Sequence, residues 1–172
     1  MIMRIVFVFF LFISCVNDPN VIQDFALMEE LPIESIKDAE LIQTQQGVVK
    51  LRILAASMNR YSDFSYPLCL SDIIVTFYNN KQKSSVLIAR NASIDETKKI
   101  MTASGNVVLE NKKNKLETEE LIWDERSQKI YTTKKVKITN QEETIFGEGF
   151  SSNADFTEYT ISKIHGDLDI SF

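Results

Sequence analysis

Apolar and polar residues alternate in short runs along most of the chain, and from Ile73 onward the runs recur three times in one order. Ile73-Ile74-Val75-Thr76-Phe77-Tyr78-Asn79, Val107-Val108-Leu109-Glu110-Asn111 and Val136-Lys137-Ile138-Thr139-Asn140 each end in Asn. A polar turn and a second apolar run follow each: Val86-Leu87-Ile88-Ala89, Leu121-Ile122-Trp123 and Ile145-Phe146. Third runs then begin at Ile100, Ile130 and Tyr159. A spacing of about 30 residues is that of stacked supersecondary units, none of which buries its apolar face alone. Neighbouring side chains on a strand point to opposite sides. Ile73, Val75 and Phe77 therefore share a face, as do Val107 with Leu109, Leu121 with Trp123, and Val136 with Ile138. The opposite positions are mixed: Thr76, Glu110, Lys137 and Thr139 are polar, whereas Ile74, Tyr78 and Val108 are not. One consistently oily face predicts a sandwich or a curved sheet folded on itself. Alternation alone does not separate a packed core from a lipid cavity, so both stay open.

Upstream, Glu40–Thr44 and Val48–Ala55 flank Gln45-Gln46-Gly47 as the arms of a hairpin. The stretch from Asn59 to Ser65 is polar with aromatics, which fits a longer loop or a broken strand. With 172 residues the chain has the length of one domain with a real core. Its 44% hydrophobic and 25% charged residues are ordinary for a folded protein, so nothing argues for disorder. A net charge of −5 argues against nucleic acid, whose phosphates reward Lys and Arg.

The first residues read as an address. Arg4 precedes a purely apolar run, Ile5 to Ile13, that ends at Ser14-Cys15. That run is shorter than the ~20 residues a spanning helix needs, but fits the core of a secretory signal peptide. It resembles a bacterial lipoprotein signal, with Cys15 as the acylated first residue of the mature chain and Phe12 where Leu is usual. The expected organisation is a signal peptide over 1–14, the lipidated Cys15 with a tether over 15–38, and a β domain over 39–172. Asn17-Asp18-Pro19-Asn20 in the tether is turn chemistry, and Phe25, Met28 and Leu31 allow a short helix. With Cys15 lipidated, Cys69 has no partner for an intrachain disulfide and reads as a small buried residue.

No constellation for catalysis stands out. His165 is the sole histidine and lies in no nucleophile motif, and phosphate loops and dinucleotide glycines are missing. One His and one spare Cys cannot fill a tetrahedral zinc site, so no metal and no other cofactor is expected. Lysines recur with the repeat, at Lys81 and Lys83, at Lys112, Lys113 and Lys115, and at Lys134, Lys135 and Lys137. They are either solvated hairpin tips or a cationic rim for lipid phosphates.

Several stretches in order carry a family resemblance: Tyr66-Pro67-Leu68-Cys69-Leu70, Ile74 to Asn79, Leu87 to Ala92, Gly105 to Leu109, Leu116 to Trp123, and Gly147-Glu148-Gly149-Phe150. Together they resemble the LptC family of lipopolysaccharide export. Cys69 departs from the Gly expected after the Tyr-Pro pair, and a lipid on Cys15 stands in for the transmembrane helix of many members. The resemblance implies a bent antiparallel β jelly roll, non-enzymatic, on the periplasmic side of the envelope and more readily at the inner membrane. It implies lipopolysaccharide as cargo, received from an inner-membrane ABC transporter and passed to a periplasmic jelly-roll bridge protein, edge to edge. The residues expected to line the lipid groove are Ile73, Val75, Phe77, Ile88, Val107, Leu109, Leu121, Trp123, Val136 and Ile138. The alternatives are a lipoprotein for another lipid and a structural β scaffold without a ligand.

Overall fold

Polar residues at the ends of the apolar runs turn the chain back on itself. The Oδ1 atoms of Asn111 and Asn140 each accept two backbone N–H groups at 2.8 Å, from Lys113 and Asn114 and from Glu142 and Glu143. The recurring Asn is thus an Asx turn that competes with further extension of the strand. Asp95 and Asp124 act likewise at the opposite strand ends. Gln46-Gly47 and Asn80-Lys81 instead form two-residue turns with left-handed backbone at both positions, the geometry that matches strand twist.

The computed structural model describes residues 32–61 and 67–165. The expected signal peptide, Cys15, most of the expected tether with its possible short helix, and residues 62–66 lie outside the described residues. Among those described, the strands are β1 (Glu34–Gln45), β2 (Val48–Arg60), β3 (Leu68–Asn79), β4 (Gln82–Asp95), β5 (Ile100–Glu110), β6 (Lys115–Asp124), β7 (Lys129–Thr139), β8 (Thr144–Asn153) and β9 (Tyr159–His165). They form one sheet in sequence order, each antiparallel to the next, with β1 and β9 at its edges. The all-β expectation holds, and the predicted hairpin pairs Gln45 with Val48. Two boundaries move. β1 starts at Glu34, so residues 34–38, expected in the tether, lie in the sheet; β2 runs on through the polar Asn59 to Arg60.

The strands are long because the third run of one repeat and the first run of the next are two halves of a single strand. Ile100–Ala103 and Val107–Glu110 are both β5, joined by Gly105 and Asn106 in left-handed conformation. Similar interruptions cross the sheet: left-handed Asp38, Asp72 and Gly149, and register shifts within β6 and β7. An extra residue of this kind bends a strand and changes which side chains face inward. On β3 the inward set is Leu68 and Leu70 before the bend and Ile73, Val75 and Phe77 after it; on β6 it is Leu116 and Thr118, then Leu121 and Trp123. The crease folds the oily face onto itself.

The folded halves meet through one apolar cluster reaching from β2 to β8, with Phe156 of the β8–β9 turn fully buried in it. Burial of each such large side chain contributes roughly 1.5–3 kcal/mol. The turn is also tied by polar contacts to the opposite half. Ser85 Oγ donates to the Ala154 carbonyl at 2.5 Å, and Asn111 Nδ2 donates to the carbonyls of Asp155 at 3.0 Å and Phe156 at 2.8 Å. Inside the crease Thr118 Oγ1 donates to the Lys135 carbonyl at 2.8 Å, so this buried hydroxyl is satisfied.

Candidate functional site

The apolar interior reaches the surface where β1 and β2 face the end of β6. Leu51 of β2, Phe77 of β3 and Trp123 of β6 stand at this mouth because the bent strands bring the end of β3 under the end of β6. One hollow of about 340 Å³ has mostly polar walls, including Gln43, Lys50, Asn153 and Asp155, with the buried Leu51, Phe77 and Trp123 at its base. A second of about 270 Å³ adds Leu41, Ile53, Ile94 and Met101 and shares Leu51 and Trp123. An apolar floor with a polar rim fits an amphiphile whose chain leaves water while its head stays wet. Behind the mouth the interior is closely packed rather than open.

Nine of the ten expected groove residues share this inner cluster: Ile73, Val75, Phe77, Val107, Leu109, Leu121, Trp123, Val136 and Ile138. Of these, Phe77 and Trp123 line the mouth hollows. Ile88 belongs elsewhere, 42% exposed on the outer face opposite Ile74 and Val108. All four residues of Val86-Leu87-Ile88-Ala89 are apolar, so the run carries no sign of its phase; Leu87 and Ala89 are the ones that point inward. With Leu54, Ile74 and Val108, Ile88 forms an apolar row across β2 to β5. Leu41, Leu51, Ile53, Ile94 and Met101 were not among the expected groove residues. For Leu51 and Ile53 the signal was present, since they alternate within the predicted hairpin arm.

Among the described residues, ion pairs join Arg52 to Glu40, Arg60 to Glu34 and Glu96, Lys98 to Asp95, and Lys163 to Glu148. Lys115 Nζ lies 3.1 Å and Lys137 Nζ 3.5 Å from Glu117, which holds the Glu117 carboxyl below the usual carboxylate range, chiefly through the Lys115 hydrogen bond. Asp95 is lowered chiefly by the Lys98 side chain and Asp124 by the Ser127 hydroxyl. These shifts belong to turns and strand faces. Lys134, Lys135 and Lys137 lie within β7 rather than at a hairpin tip. Lys81, Lys83, Lys112 and Lys113 are exposed at the β3–β4 and β5–β6 turns, and among the described residues none of them forms an ion pair. Among the described residues no cluster of His, Cys, Asp or Glu is suited to a metal, and no helix is long and apolar enough to cross a membrane.

The family described as "Lipopolysaccharide-assembly, LptC-related" matches residues 4–166, nearly the whole chain. The chain belongs to the LptC family. No curated protein matches it. Among solved structures it is similar to LptH, described as the LptA homologous periplasmic component of the conserved lipopolysaccharide transport device from Pseudomonas aeruginosa. The identity is 16%, the match covers 70% of this chain and 87% of that one, and the TM-score is 0.51, which is a likeness of fold. LptC membership makes the chain a periplasmic, non-enzymatic component of lipopolysaccharide transport.

Proposed function

We propose that this LptC-family chain is a membrane-tethered relay that takes lipopolysaccharide from an inner-membrane ABC transporter and passes it to a periplasmic jelly-roll partner. The observation that carries this reading is the mouth, where the oily face of the folded sheet comes to water at the half-buried Leu41 and Ile94, beside the closed Phe77–Trp123 contact. Acyl chains would enter there and lie along Ile73, Val75, Val107, Leu109, Leu121, Val136 and Ile138 once the two halves part. The strands at the sheet's edges, β1 and β9, offer backbone groups for pairing with neighbouring sheets. Cys15 would carry the lipid that holds the domain at the membrane after removal of residues 1–14, with the residues between Cys15 and β1 spanning the gap.

A photoreactive side chain at position 77 or 123 is expected to capture lipopolysaccharide in growing cells, while one at the outward Ile88 captures none. Capture from 88 alone would place the cargo on the wrong face and overturn the reading. The tight packing behind the mouth favours a second one, a scaffold whose halves never part. That reading predicts no capture from 77, 88 or 123. Mass spectrometry of the membrane fraction tests the anchor, since an unmodified Cys15 behind a retained leader would refute it.

A further inference from the structure

The outer face of the sheet carries an apolar row for which a lipid path along the inner face has no use. Leu54 pairs with Ile74, Ile74 with Ile88, and Ile88 with Val108, so four apolar side chains stand side by side across β2 to β5. Leu54 is 38% exposed, and Ile74 and Ile88 are each 42% exposed. An antiparallel sheet with one packed face ordinarily turns polar residues to water on the other. Apolar residues that are contiguous rather than scattered are the pattern of a contact surface.

Charges flank the row in an order that selects its occupant. Two residues along the strands on one side, Arg52 of β2 and Glu110 of β5 end a parallel row that runs through Thr76 and Val86. Two residues along on the other side, Asp72 of β3 and Arg90 of β4 follow the Ile73–Ala89 pair. Glu110, Asp72 and Arg90 are exposed, and among the described residues none of them forms an ion pair. A second copy laid face to face, about a two-fold axis parallel to the strands and midway between β3 and β4, places its β4 over β3 and its β5 over β2. Ile74 then meets Ile88, Leu54 meets Val108, Arg52 meets Glu110 and Asp72 meets Arg90, each contact being made twice. The basic and acidic ends exchange places on one another, which is the self-complementarity that a two-fold contact requires. Farther out Glu40 falls over Glu117, and each already has its own base, Arg52 at 2.7 Å and Lys115 at 3.1 Å.

We infer that the outer face of β2 to β5 is a homodimer interface, on which a second copy of this chain packs sheet to sheet about that axis. The contact stands apart from the lipid reading, since it uses neither the inner face nor the β1 and β9 edges. From β2 to β5 the patch spans about 14 Å. That is small beside the interfaces of permanent dimers, so the association is reversible.

The test is photocrosslinking of the full chain in growing cells, with a photoreactive side chain at position 54, at 88, or at the exposed Phe146 of β8 as a control on the same face. Positions 54 and 88 are expected to give a band of twice the chain's mass, with attachment near Val108 from 54 and near Ile74 from 88. Position 146 should give none. With the probe at 88, Arg52→Glu or Glu110→Arg alone should lower the doubled band roughly tenfold, because like charges then face each other. The two substitutions together should restore it, since the pairs form again with their signs exchanged. A purely structural loss would not be restored, because the Arg52–Glu40 pair stays broken in the double variant. Absence of the doubled band from both 54 and 88 overturns the dimer, as does a double variant no better than either single one. Attachment from 88 to β4 of the other copy would mean a different axis and overturn this arrangement. Capture of a lipid or of a different protein from 88, in place of the chain itself, would give the face to that occupant and equally overturn the inference.

Discussion

The rings of Phe77 and Trp123 meet edge to face, their centroids 5.2 Å apart and their planes at 71°, although β3 and β6 are not neighbours in the sheet. The contact exists because the crease carries the end of β6 over the end of β3. It closes the roll at the mouth, with Trp123 only 5% exposed. Trp123→Ala should cost about 3–5 kcal/mol, and Trp123→Phe much less because a ring still reaches Phe77. Urea unfolding followed by far-ultraviolet circular dichroism measures both; equal losses would mean that the ring contact is not what holds the mouth.

Asn111 and Asn140 occupy equivalent places in the repeat but carry different loads. Asn140 closes only its own turn, whereas Asn111 also ties down the carbonyls of Asp155 and Phe156 from across the fold. At about 1 kcal/mol per hydrogen bond, Asn111→Ala should destabilise by roughly 2 kcal/mol more than Asn140→Ala. Hydrogen exchange should also quicken at the β8–β9 turn in the first variant alone. Matching stabilities and matching exchange would show that the two turns are independent of the fold around them.

How much of this was legible beforehand depends on whether a run contained a polar residue to mark its phase. Ile73, Val75 and Phe77 are separated by residues that include Thr76, and Val136 and Ile138 flank Lys137, so their shared face could be read. Ile88 sits in an unbroken apolar run, where nothing in the sequence says which alternate residues turn inward. The crease was hidden for a different reason. Gly105-Asn106 is a turn signal in isolation, and only pairing with β4 and β6 on both sides shows that the strand continues through it. Residues of the mouth such as Ile94 and Met101 come together through that bend, which no local pattern encodes.

The two glycines of Gly147-Glu148-Gly149 serve separate needs. Gly149 has φ of +79°, a left-handed backbone that a side chain strains, and it marks the crease on β8. Gly147 has no such angle, but a Cβ there would overlap Ile161 Cγ2 and approach the Lys163 carbonyl oxygen to 2.8 Å. Backbone cannot yield as a side chain tip can, so β9 would have to move. Gly147→Ala should therefore destabilise by about 1–3 kcal/mol, and exchange should rise along β9 before β5. Uniform exchange along both strands would show that β9 is not the element displaced.

Acid sensitivity should follow from Glu117, Asp95 and Asp124, each held below its ordinary carboxylate range by neighbouring donors. A carboxyl whose folded-state value is depressed contributes stability above its unfolded value, and that contribution is lost as pH falls through the folded one. The urea midpoint should accordingly stay level from neutrality to about pH 5 and fall below about pH 4, where unfolded carboxyls take up protons first. Glu117→Gln removes the charge that Lys115 and Lys137 share, so it should lower the midpoint at neutral pH while converging with the parent chain in acid. Because all three groups lie near solvent, added salt should shrink the difference. A Glu117→Gln curve parallel to that of the parent chain at every pH would show that the glutamate stabilises the strand by packing rather than by charge.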